Sequence, residues 1–283
     1  MKSGFVMLAG RSNVGKSTLL NALIGTKVSI VTPKPQTTRH PVRGILHDPR
    51  AQIVFVDTPG LFLGRKDLVS NKLNEFVHDT LTGVDVVVYV MDPTREPGAE
   101  EERIQELVRR SPVPVIAVIN KIDQTDAVAL NTFRNTDVGA MIKLEVSAAK
   151  HKHLNKIVDA IVSLLPEGGD LHYPEHQLTD VGHREWMEEI IREKIFLELH
   201  EELPYSIKVS VDEIEKRKDG SRFVAGTIWT TEERYKRMII GAKASTIKHI
   251  GMLARKEIEQ ATNMKTFLEL MVRVDPKWPQ RFV

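Results

Sequence analysis

The sequence predicts a doubly wound α/β domain followed by a smaller α+β domain. Up to about residue 166, short apolar segments alternate with amphipathic ones, which is typical of a parallel sheet with helices on both faces. A segment rich in Pro and Gly then interrupts this pattern, and the remaining residues follow a different one. The length of 283 residues also favours about two domains.

Six short apolar segments are the strand candidates of the first domain. They are Phe5–Ala9, Gly44–His47, Ile53–Asp57, Val86–Met91, Val115–Asn120 and Ile142–Val146. Most of them consist almost entirely of Val, Ile, Leu and Phe, as expected for strands that are buried on both faces. The amphipathic segments predict helices over Lys16–Leu23, Asn71–Thr82, Glu100–Arg110 and Leu154–Leu165.

The second domain begins after a linker. Residues 166–174 contain two Pro and two Gly, so we expect one domain over 1–166, a linker over 167–180 and a second domain over 181–283. An apolar stripe predicts a long helix from about residue 184 to 202. The later segments predict strands over Ile207–Ile214, Phe223–Trp229, Lys236–Ile240 and Thr266–Val274 and a helix over Thr246–Ala261.

The composition excludes several kinds of site. There is no Cys, which rules out disulfides and thiolate zinc sites and is compatible with a reducing cytosol. The longest apolar run, Val84–Met91, is too short to span a bilayer, and the N-terminal residues predict no secretory signal. The net charge of +2 is too small to indicate nucleic-acid binding. Basic residues are concentrated between Lys236 and Lys265, but without further context a solvated helix face is favoured over an RNA contact as the explanation of that excess.

A phosphate-binding loop is predicted between the first strand and the first helix. Gly10, four further residues, Gly15, Lys16 and Ser17 stand where a strand ends and a helix begins, the context that this pattern requires. The glycines let backbone N–H groups turn toward an anion, and the helix N-terminus adds partial positive charge. Lys16 is expected to contact the β- and γ-phosphates and Ser17 a Mg²⁺ ion. The residues assigned to the nucleotide here are Gly10, Asn13, Val14, Gly15, Lys16, Ser17 and Thr18.

Two further segments predict sensors of the terminal phosphate and its metal. Asp57 ends an apolar strand, where a carboxylate can hold Mg²⁺, and Gly60 can donate its backbone N–H to the γ-phosphate. By itself, the string from Asp57 to Gly60 is equally compatible with an ordinary turn. A hydroxyl of Thr37 or Thr38 would join Mg²⁺ only when the γ-phosphate is present. The predicted metal ligands are Ser17, Thr38 and Asp57, and the predicted catalytic residues are Lys16, Thr38 and Gly60.

A third string predicts recognition of guanine. In Asn120-Lys-Ile-Asp123, the Asp123 carboxylate can accept hydrogen bonds from N1 and the 2-amino group of guanine, neither of which is a donor in adenine. Hydrogen bonds to a charged group are worth about 1.5–3 kcal/mol each, enough to reject adenine by several orders of magnitude. Asn120 would hold the loop and contact the N7 side, and the stem of Lys121 would lie over the base. A backbone N–H for the guanine oxygen is expected from Ser147-Ala148-Ala149.

With these strings in place, the chain resembles the Era family of translation-factor-class GTPases over nearly its whole length. In the first domain the resemblance rests on Asn13-Val-Gly-Lys-Ser-Thr18, Gln36-Thr-Thr-Arg-His40 and Asp57-Thr-Pro-Gly-Leu61. In the second it rests on Pro204-Tyr-Ser206 and on the segment from Met238 to Gly251, which is similar to a type II KH domain. It implies a P-loop GTPase domain with a doubly wound sheet, followed by an α+β type II KH domain.

The resemblance also implies a function. Era proteins are bacterial GTPases that bind the 3′ end of small-subunit (16S) ribosomal RNA and assist 30S assembly. We therefore expect GTP and GDP as ligands, Mg²⁺ as cofactor, and the rRNA 3′ end and the 30S subunit as partners of a cytoplasmic monomer. Era-like proteins have also been linked to membranes, so a peripheral position at the inner membrane is an alternative; it ranks last because we find neither a lipidation signal nor a strong basic amphipathic helix.

Leu61 stands where Ras-like enzymes carry a water-orienting Gln, so intrinsic hydrolysis is expected to be slow. The related group has the same hydrophobic replacement, and some members hold K⁺ with the Asn of the phosphate loop, which is Asn13 here. We therefore hypothesise that Asn13 is a further catalytic residue, which ligates K⁺ in place of an arginine finger. The alternative is that Asn13 only bonds the loop backbone.

The RNA clamp of the family is Gly-x-x-Gly, but this chain has Gly241-Ala242-Lys243-Ala244. If position 244 requires a positive φ, alanine costs about 1 kcal/mol or more. If that position simply opens a helix, alanine is harmless. We expect RNA binding to survive, and the residues implied in it are Gly241, Ala242, Lys243, Ala244, Lys248 and Arg255.

Two other classes of function compete with this one. A P-loop kinase or ATPase has no need of the string 120–123, and nucleotide competition would distinguish it. An RNA-binding scaffold that uses GTP only as a structural ligand would bind RNA equally with GTP, with GDP or without nucleotide.

Overall fold

The structure, a computed structural model, describes residues 1–34, 37–38, 41–58, 83–168, 170–199 and 203–281. The chain divides into two units, Met1–Asp180 and Val181–Val283. The predicted helix Asn71–Thr82 lies outside the described residues. Within the described ranges, no helix is long and apolar enough to cross a membrane.

A six-stranded sheet forms the centre of the first unit. Its strands are β1 (Lys2–Ala9), β2 (Val42–Asp48), β3 (Ala51–Asp57), β4 (Val86–Met91), β5 (Val115–Ile119) and β6 (Ile142–Glu145). The helices described in this unit are α1 (Lys16–Ile24), α2 (Ala99–Arg109), α3 (Leu130–Asn135) and α4 (Leu154–Leu164). The strand order is β2-β3-β1-β4-β5-β6, and every neighbouring pair is parallel except β2 with β3.

Helices cover both faces of this sheet. One apolar cluster joins the sheet to α1 and α4, and a second joins its other face to α2 and α3. All six residues of β4 are buried, and each fully buried aliphatic side chain contributes about 1.5–3 kcal/mol. The predicted doubly wound fold is therefore confirmed. The antiparallel β2 follows from its connection to β3, because two residues allow a hairpin but not the crossover that parallel strands need.

The predicted nucleotide strings meet at one edge of this sheet. Gly10 follows β1, Asp57 ends β3, Asn120 follows β5 and Ser147 lies just beyond β6. The carboxyl ends of parallel strands lie on the same side, which is where open α/β sheets bind their ligands. The topology therefore brings together segments that are far apart in the sequence.

The segment predicted as a linker lies along the outer edge of β2 and belongs to the first unit. Gly44 and Thr179 form an antiparallel bridge, and the Ile45 N–H donates to the carbonyl oxygen of Leu178 over 2.9 Å. Residues 172–180, which we term the edge segment, are therefore attached to the sheet.

A second attachment of the edge segment comes from the side chain of Gln52 in β3. Nε2 of Gln52 donates to the carbonyl oxygen of Tyr173 over 2.7 Å, while Oε1 accepts the backbone N–H groups of His172 (2.8 Å) and Tyr173 (3.1 Å). Gln52 is 1% exposed, so these bonds satisfy a buried amide. The Pro and Gly residues of this region allow irregular backbone, but they do not leave it detached.

The second unit is a mixed α+β fold. Its elements are α5 (His183–Glu198), β7 (Ile207–Lys216), β8 (Arg222–Thr230), α6 (Glu233–Ile240), α7 (Ser245–Thr262) and β9 (Thr266–Val274). Strand β8 lies in the middle of the sheet, antiparallel to β7 and parallel to β9. Helices α5 and α7 pack on each other, α5 contacts β7 and α7 contacts β9.

The strand predicted over Lys236–Ile240 is wrong, because these residues form the second half of α6. The three consecutive apolar residues 238–240 suggest a strand, yet only Ile239 among them is buried while Met238 is 54% exposed. Glu233 in the first turn favours a helix through the partial positive charge of the helix N-terminus. A helix can pack with one buried residue per turn, as this one does. A half-buried strand would need buried and exposed residues to alternate.

Candidate functional site

The loop between β1 and α1 encloses the amino group of Lys16. Nζ of this buried side chain donates to the carbonyl oxygens of Gly10 (3.1 Å) and Arg11 (3.0 Å). Burial lowers the pKa of Lys16 to about 8, against the opposing effect of the charges on Asp57 and Glu101. The loop thus holds a desolvated cation, and such a cation interacts strongly with a phosphate.

A cleft of about 360 Å³ opens beside this loop, a size within the usual range for small-molecule sites. Its walls come from the loop, from the first turn of α1, from the segment after α1 and from Lys121. The lining residues are Ser12, Asn13, Gly15, Lys16, Ser17, Thr18, Ile30, Val31, Thr32, Pro33, Thr37, Thr38 and Lys121. Three separately predicted segments therefore face one cavity.

Hydroxyl groups converge on the buried carboxylate of Asp57. Oγ of Ser17 donates to Oδ2 over 2.6 Å, Oγ of Ser29 over 3.0 Å and Oγ1 of Thr38 over 3.4 Å. The hydroxyls of Ser17 and Thr38 are 3.2 Å apart. Asp57 is fully buried, and burial raises the pKa of its carboxyl against the opposing effect of Lys16 and the hydroxyls. The predicted metal ligands Ser17, Thr38 and Asp57 thus lie together.

This cluster fits a hard divalent cation. Oδ1 of Asp57 is buried and has no hydrogen-bond partner among the described residues, while Oδ2 accepts all three hydroxyls. The donors are oxygens throughout, which is the set that Mg²⁺ prefers. Ser29 was not predicted from the sequence, because it belongs to no recognisable string. Asn21 holds it in place, since Oδ1 of Asn21 accepts the Ser29 N–H over 3.0 Å.

Asn120 joins the phosphate loop to the segment after β6. Its Nδ2 donates to the carbonyl oxygen of Val14 over 3.0 Å, and its Oδ1 accepts the N–H of Ala148 over 3.0 Å. Asn120 is 2% exposed. Nδ2 and Oδ1 of Asn120 are therefore both hydrogen-bonded to backbone groups, which agrees with its predicted role in holding the loop.

The other two polar residues of the third string also have defined partners. Nζ of Lys121 donates to the carbonyl oxygen of Asn13 (2.9 Å) and to Oδ2 of Asp92 (2.6 Å). Oδ1 of Asp123 accepts a short hydrogen bond from Oγ of Ser147, which orients the carboxylate. Asp123 is half-buried. Ala149, next to these residues, is exposed.

Several predicted residues lie outside the described residues. They are Gly60 and Leu61 after Asp57, and Gln36, Arg39 and His40 around the two threonines. The loop residue Asn13 is described, with a positive φ of 65° and its Nδ2 donating to the carbonyl oxygen of Pro33 over 2.5 Å. Asn13 therefore bonds the segment that lines the opposite wall of the cleft.

In the second unit, the segment 241–244 connects α6 to α7. Gly241 has a φ of 72°, and a Cβ there would overlap the Thr246 side chain, so this position requires glycine. Ala244 has a φ of 61° and lies directly before α7. Of the two possibilities considered for this position, the structure shows a positive φ. Lys243 and Ala242 are exposed, so the loop presents its backbone and one cation to solvent.

A groove of about 340 Å³ lies between α7 and β9 in this unit. Lys248 and Arg255 stand on one wall, and Leu268, Glu269 and Leu270 belong to the other. Of the predicted RNA residues, Lys248 and Arg255 thus lie on α7 and border this groove, while residues 241–244 precede the helix. The floor is partly apolar, which is compatible with unstacked bases.

Comparisons with known proteins agree with both halves of this description. Residues 5–121 match the family model described as 50S ribosome-binding GTPase, and residues 202–279 match the KH domain. The GTPase Era of Halothermothrix orenii is 39% identical over 99% of this chain and 95% of its own length. That of Heliobacterium modesticaldum is 37% identical over 99% of this chain and 94% of its own length. The chain belongs to the Era family of GTPases.

Solved structures of Era share this fold. A crystal structure of Era in complex with MgGDPNP and nucleotides 1506–1542 of 16S ribosomal RNA has a TM-score of 0.92 and 38% identity, covering 99% of this chain and 96% of that one. A crystal structure of a variant of Aquifex aeolicus Era bound to GDP·AlF₄⁻ has a TM-score of 0.90 and 36% identity, covering 99% and 96%. This Era-family GTPase therefore has the predicted P-loop domain and a KH domain.

Proposed function

We propose that this GTPase couples its nucleotide state to binding of the 3′ end of 16S ribosomal RNA and acts in 30S assembly. The observation that carries the proposal is the match, over 99% of the chain, to an Era structure that holds MgGDPNP and a 16S fragment. The nucleotide cleft and the KH groove occur in the same order in this chain. Neither half alone would support a coupled function.

In this proposal the phosphates lie in the loop between β1 and α1. Gly10, Asn13, Val14, Gly15, Lys16, Ser17 and Thr18 surround them. Lys16 exchanges its two backbone carbonyl partners, 3.1 and 3.0 Å away, for the β- and γ-phosphates. Charge on the phosphates favours the protonated lysine and so opposes the pKa lowering that burial causes. Lys16 then stabilises negative charge that develops on the leaving group during hydrolysis.

Ser17, Thr38 and Asp57 would hold Mg²⁺. The unpartnered Oδ1 of Asp57 and the adjacent hydroxyls support this choice. When bound, the ion neutralises charge on the β- and γ-phosphates. Thr38 belongs to the segment between α1 and β2, so its engagement would distinguish the GTP state from the GDP state. Gly60 completes the proposed γ-phosphate contacts.

The base lies against the third string. Asp123, oriented by Ser147, accepts from N1 and the 2-amino group, and a backbone N–H of residues 147–149 donates to the guanine oxygen. Asn120 maintains the geometry through its bonds to Val14 and Ala148. The stem of Lys121 covers the base while its ammonium group remains bonded to the loop. Guanine is selected because adenine leaves the acceptor oxygens of Asp123 unsatisfied.

K⁺ is proposed as a second cation at Asn13. Nδ2 of Asn13 donates to Pro33, so a cation would be held by the other amide atom, Oδ1. Leu61 cannot polarise water, and a monovalent cation near the phosphates would supply some of the missing charge stabilisation. Equal single-turnover rates in K⁺ and Na⁺ buffers would exclude this role. The monomeric state and a peripheral membrane position stay predictions.

The KH domain is proposed to hold single-stranded RNA in the groove between α7 and β9. Lys243, Lys248 and Arg255 provide cations for the RNA phosphates, and the backbone of residues 241–244 lies close to the RNA backbone. Affinity should fall steeply with salt, because phosphate contacts release counterions. Glu269 on the opposite wall can accept hydrogen bonds from base amino groups.

The experiment that tests the proposal is binding of a labelled 3′-terminal 16S oligonucleotide with a non-hydrolysable GTP analogue, with GDP and without nucleotide. Tighter binding with the analogue would support the coupling, and equal binding in all three states would favour a scaffold. A Lys248→Gln variant should bind the RNA more weakly, while Lys218→Gln, in the exposed turn between β7 and β8, is the matched control. No binding in any state would contradict the RNA function and leave the GTPase intact.

A further inference from the structure

Asp92 lies between the phosphate loop and the guanine-binding string, at the end of β4. The sheet order places β4 between β1, which leads into the phosphate loop, and β5, which leads into the string 120–123. Asp92 directly follows β4 and is fully buried. No sequence string that we recognised includes it. Its position at the end of β4 places a carboxylate beside both the phosphate loop and the guanine-binding string.

Both oxygens of Asp92 are engaged. Oδ1 accepts the N–H (3.0 Å) and the hydroxyl (2.7 Å) of Thr94, which fixes the turn after β4. Oδ2 lies 2.6 Å from Nζ of Lys121 and 3.3 Å from Nε of Arg95. One buried carboxylate therefore holds two cations, Arg95 from its own turn and Lys121 from the guanine-binding string.

These two cations cap successive carbonyl groups of the phosphate loop. Nη2 of Arg95 donates to the carbonyl oxygen of Ser12 over 3.0 Å, and Nζ of Lys121 donates to that of Asn13 over 2.9 Å. Asn120 caps the next carbonyl, that of Val14, over 3.0 Å. Three consecutive peptide units thus have their oxygens bound on the outside of the loop.

Capping the carbonyls sets the direction of the N–H groups. In a trans peptide the N–H points opposite to the C=O of the same unit, and the described residues contain no cis peptide. The N–H groups of residues 13, 14 and 15 therefore point away from Arg95, Lys121 and Asn120. This is the arrangement that a phosphate cradle needs, in which successive N–H groups converge on one anion.

We propose that Asp92 and Arg95 are positioning residues for nucleotide binding, because they fix the peptide planes whose N–H groups receive the phosphates. The inference rests on the proposed placement of the phosphates in this loop. Of the three loop carbonyls, Arg95 contacts only that of Ser12, whereas Asp92 holds both Arg95 and Lys121. Loss of Arg95 should weaken binding of the phosphates without affecting the base, and loss of Asp92 should affect both.

The test compares affinities for GDP and for guanosine, measured by competition against fluorescent GDP. For Arg95→Gln we expect GDP affinity to fall about five- to tenfold, as for one hydrogen bond from a half-exposed cation, with guanosine affinity unchanged. For Asp92→Asn we expect at least about a tenfold loss for GDP and a smaller loss for guanosine. KM for GTP should rise in Arg95→Gln while kcat stays constant, because the contact is made equally in ground and transition states.

The control is Arg110→Gln, which removes an arginine from an exposed ion pair with Glu106 on α2. A GDP-to-guanosine ratio in Arg95→Gln equal to that of the control would overturn the proposal, and so would a lower kcat at constant KM. If Asp92→Asn does not fold, the half-exposed Arg95 still provides the test. If the wild-type protein itself binds GDP no more tightly than guanosine, the phosphate site and the proposed function are both contradicted.

Discussion

Gly15 cannot carry a side chain because a Cβ at this position would lie 2.5 Å from Nδ2 of Asn120. The same Nδ2 donates to the carbonyl oxygen of Val14, the residue before Gly15. The end of β5 is therefore packed directly against the backbone of the phosphate loop. Two strings that sequence analysis treats separately, one for phosphate and one for guanine, share this contact.

Gly15→Ala should reduce GDP affinity about 100-fold. Displacing Asn120 loses two hydrogen bonds that hold the phosphate loop, worth about 0.5–1.5 kcal/mol each. Isothermal titration with GDP measures the change. Gly25→Ala is the matched control, because Gly25 also has a positive φ, 81°, but no atom of the described part of the chain lies within 4 Å of the added Cβ. Its GDP affinity should be unchanged; a similar loss in both variants would contradict the Asn120 overlap.

Lys16→Met should stabilise the nucleotide-free protein while abolishing GTP binding. Lowering the lysine pKa from 10.5 to about 8 costs the folded state about 3 kcal/mol at neutral pH. Removing the charge removes this cost, but it also removes the two hydrogen bonds of the ammonium group. We therefore expect a net gain of about 1–2 kcal/mol in the free energy of unfolding. Urea unfolding at pH 7 measures it, with the exposed Lys150→Met as control.

The advantage of Lys16→Met should disappear with rising pH. Between pH 8 and 10.5 the unfolded wild-type chain binds more protons at Lys16 than the folded protein does, so wild-type stability rises with pH in this window. Below pH 8 the full stability difference between Lys16→Met and the wild-type protein is present. A stability difference that is the same at pH 7 and pH 10 would show that burial of the charge is not its cause.

Asp123→Asn should exchange guanine preference for xanthine preference. An amide offers a donor where the carboxylate offers an acceptor, which suits the 2-oxygen of xanthine and not the 2-amino group of guanine. We expect GTP affinity to fall by at least about 100-fold, as for hydrogen bonds to a charged group, while xanthosine triphosphate binds better than to wild type. Ser147→Ala, which removes the bond that orients Asp123, should weaken GTP binding without changing the preference. Unchanged guanine preference in Asp123→Asn would place the base elsewhere.

Ala244→Gly should stabilise the KH domain by about 1 kcal/mol, because glycine adopts the observed φ of 61° without steric cost. Thermal unfolding measures the change. Ala242→Gly in the same loop is the control, since Ala242 is absent from the residues with a positive φ and glycine there only adds disorder to the unfolded chain. RNA affinity of Ala244→Gly should equal or exceed that of wild type. Lower stability in Ala244→Gly than in Ala242→Gly would contradict the strain at this position.

Sequence patterns predicted the elements that depend on neighbouring residues alone. The strands β4 and β9 have the predicted bounds, Val86–Met91 and Thr266–Val274, because each is an apolar or alternating run between polar residues. Helix α3 was not predicted, since it is only six residues long and buries one side chain, Phe133. The attachment of the edge segment was also beyond prediction, because its partner Gln52 is about 120 residues away and no local signal marks it.

In the candidate site, too, local strings predicted some residues while others follow only from the fold. Strings with fixed spacing identified Lys16, Asp57 and Asn120, and the sheet topology then brought them together. Asp92 has no string of its own, and its relevance follows only from β4 lying between β1 and β5. A polar residue at the carboxyl end of every buried strand is the signal that would have found it.

The edge segment also determines what the first domain presents to other proteins. β2 is the outermost strand of its sheet, and an uncovered outer strand is a template for pairing with another chain. Residues 178 and 179 occupy part of its hydrogen-bonding edge in the antiparallel sense, in the way an additional strand would. The segment that leads to the KH domain therefore covers part of the edge at which another chain would pair, and we expect substitutions in it to reduce solubility before they change the chemistry of GTP.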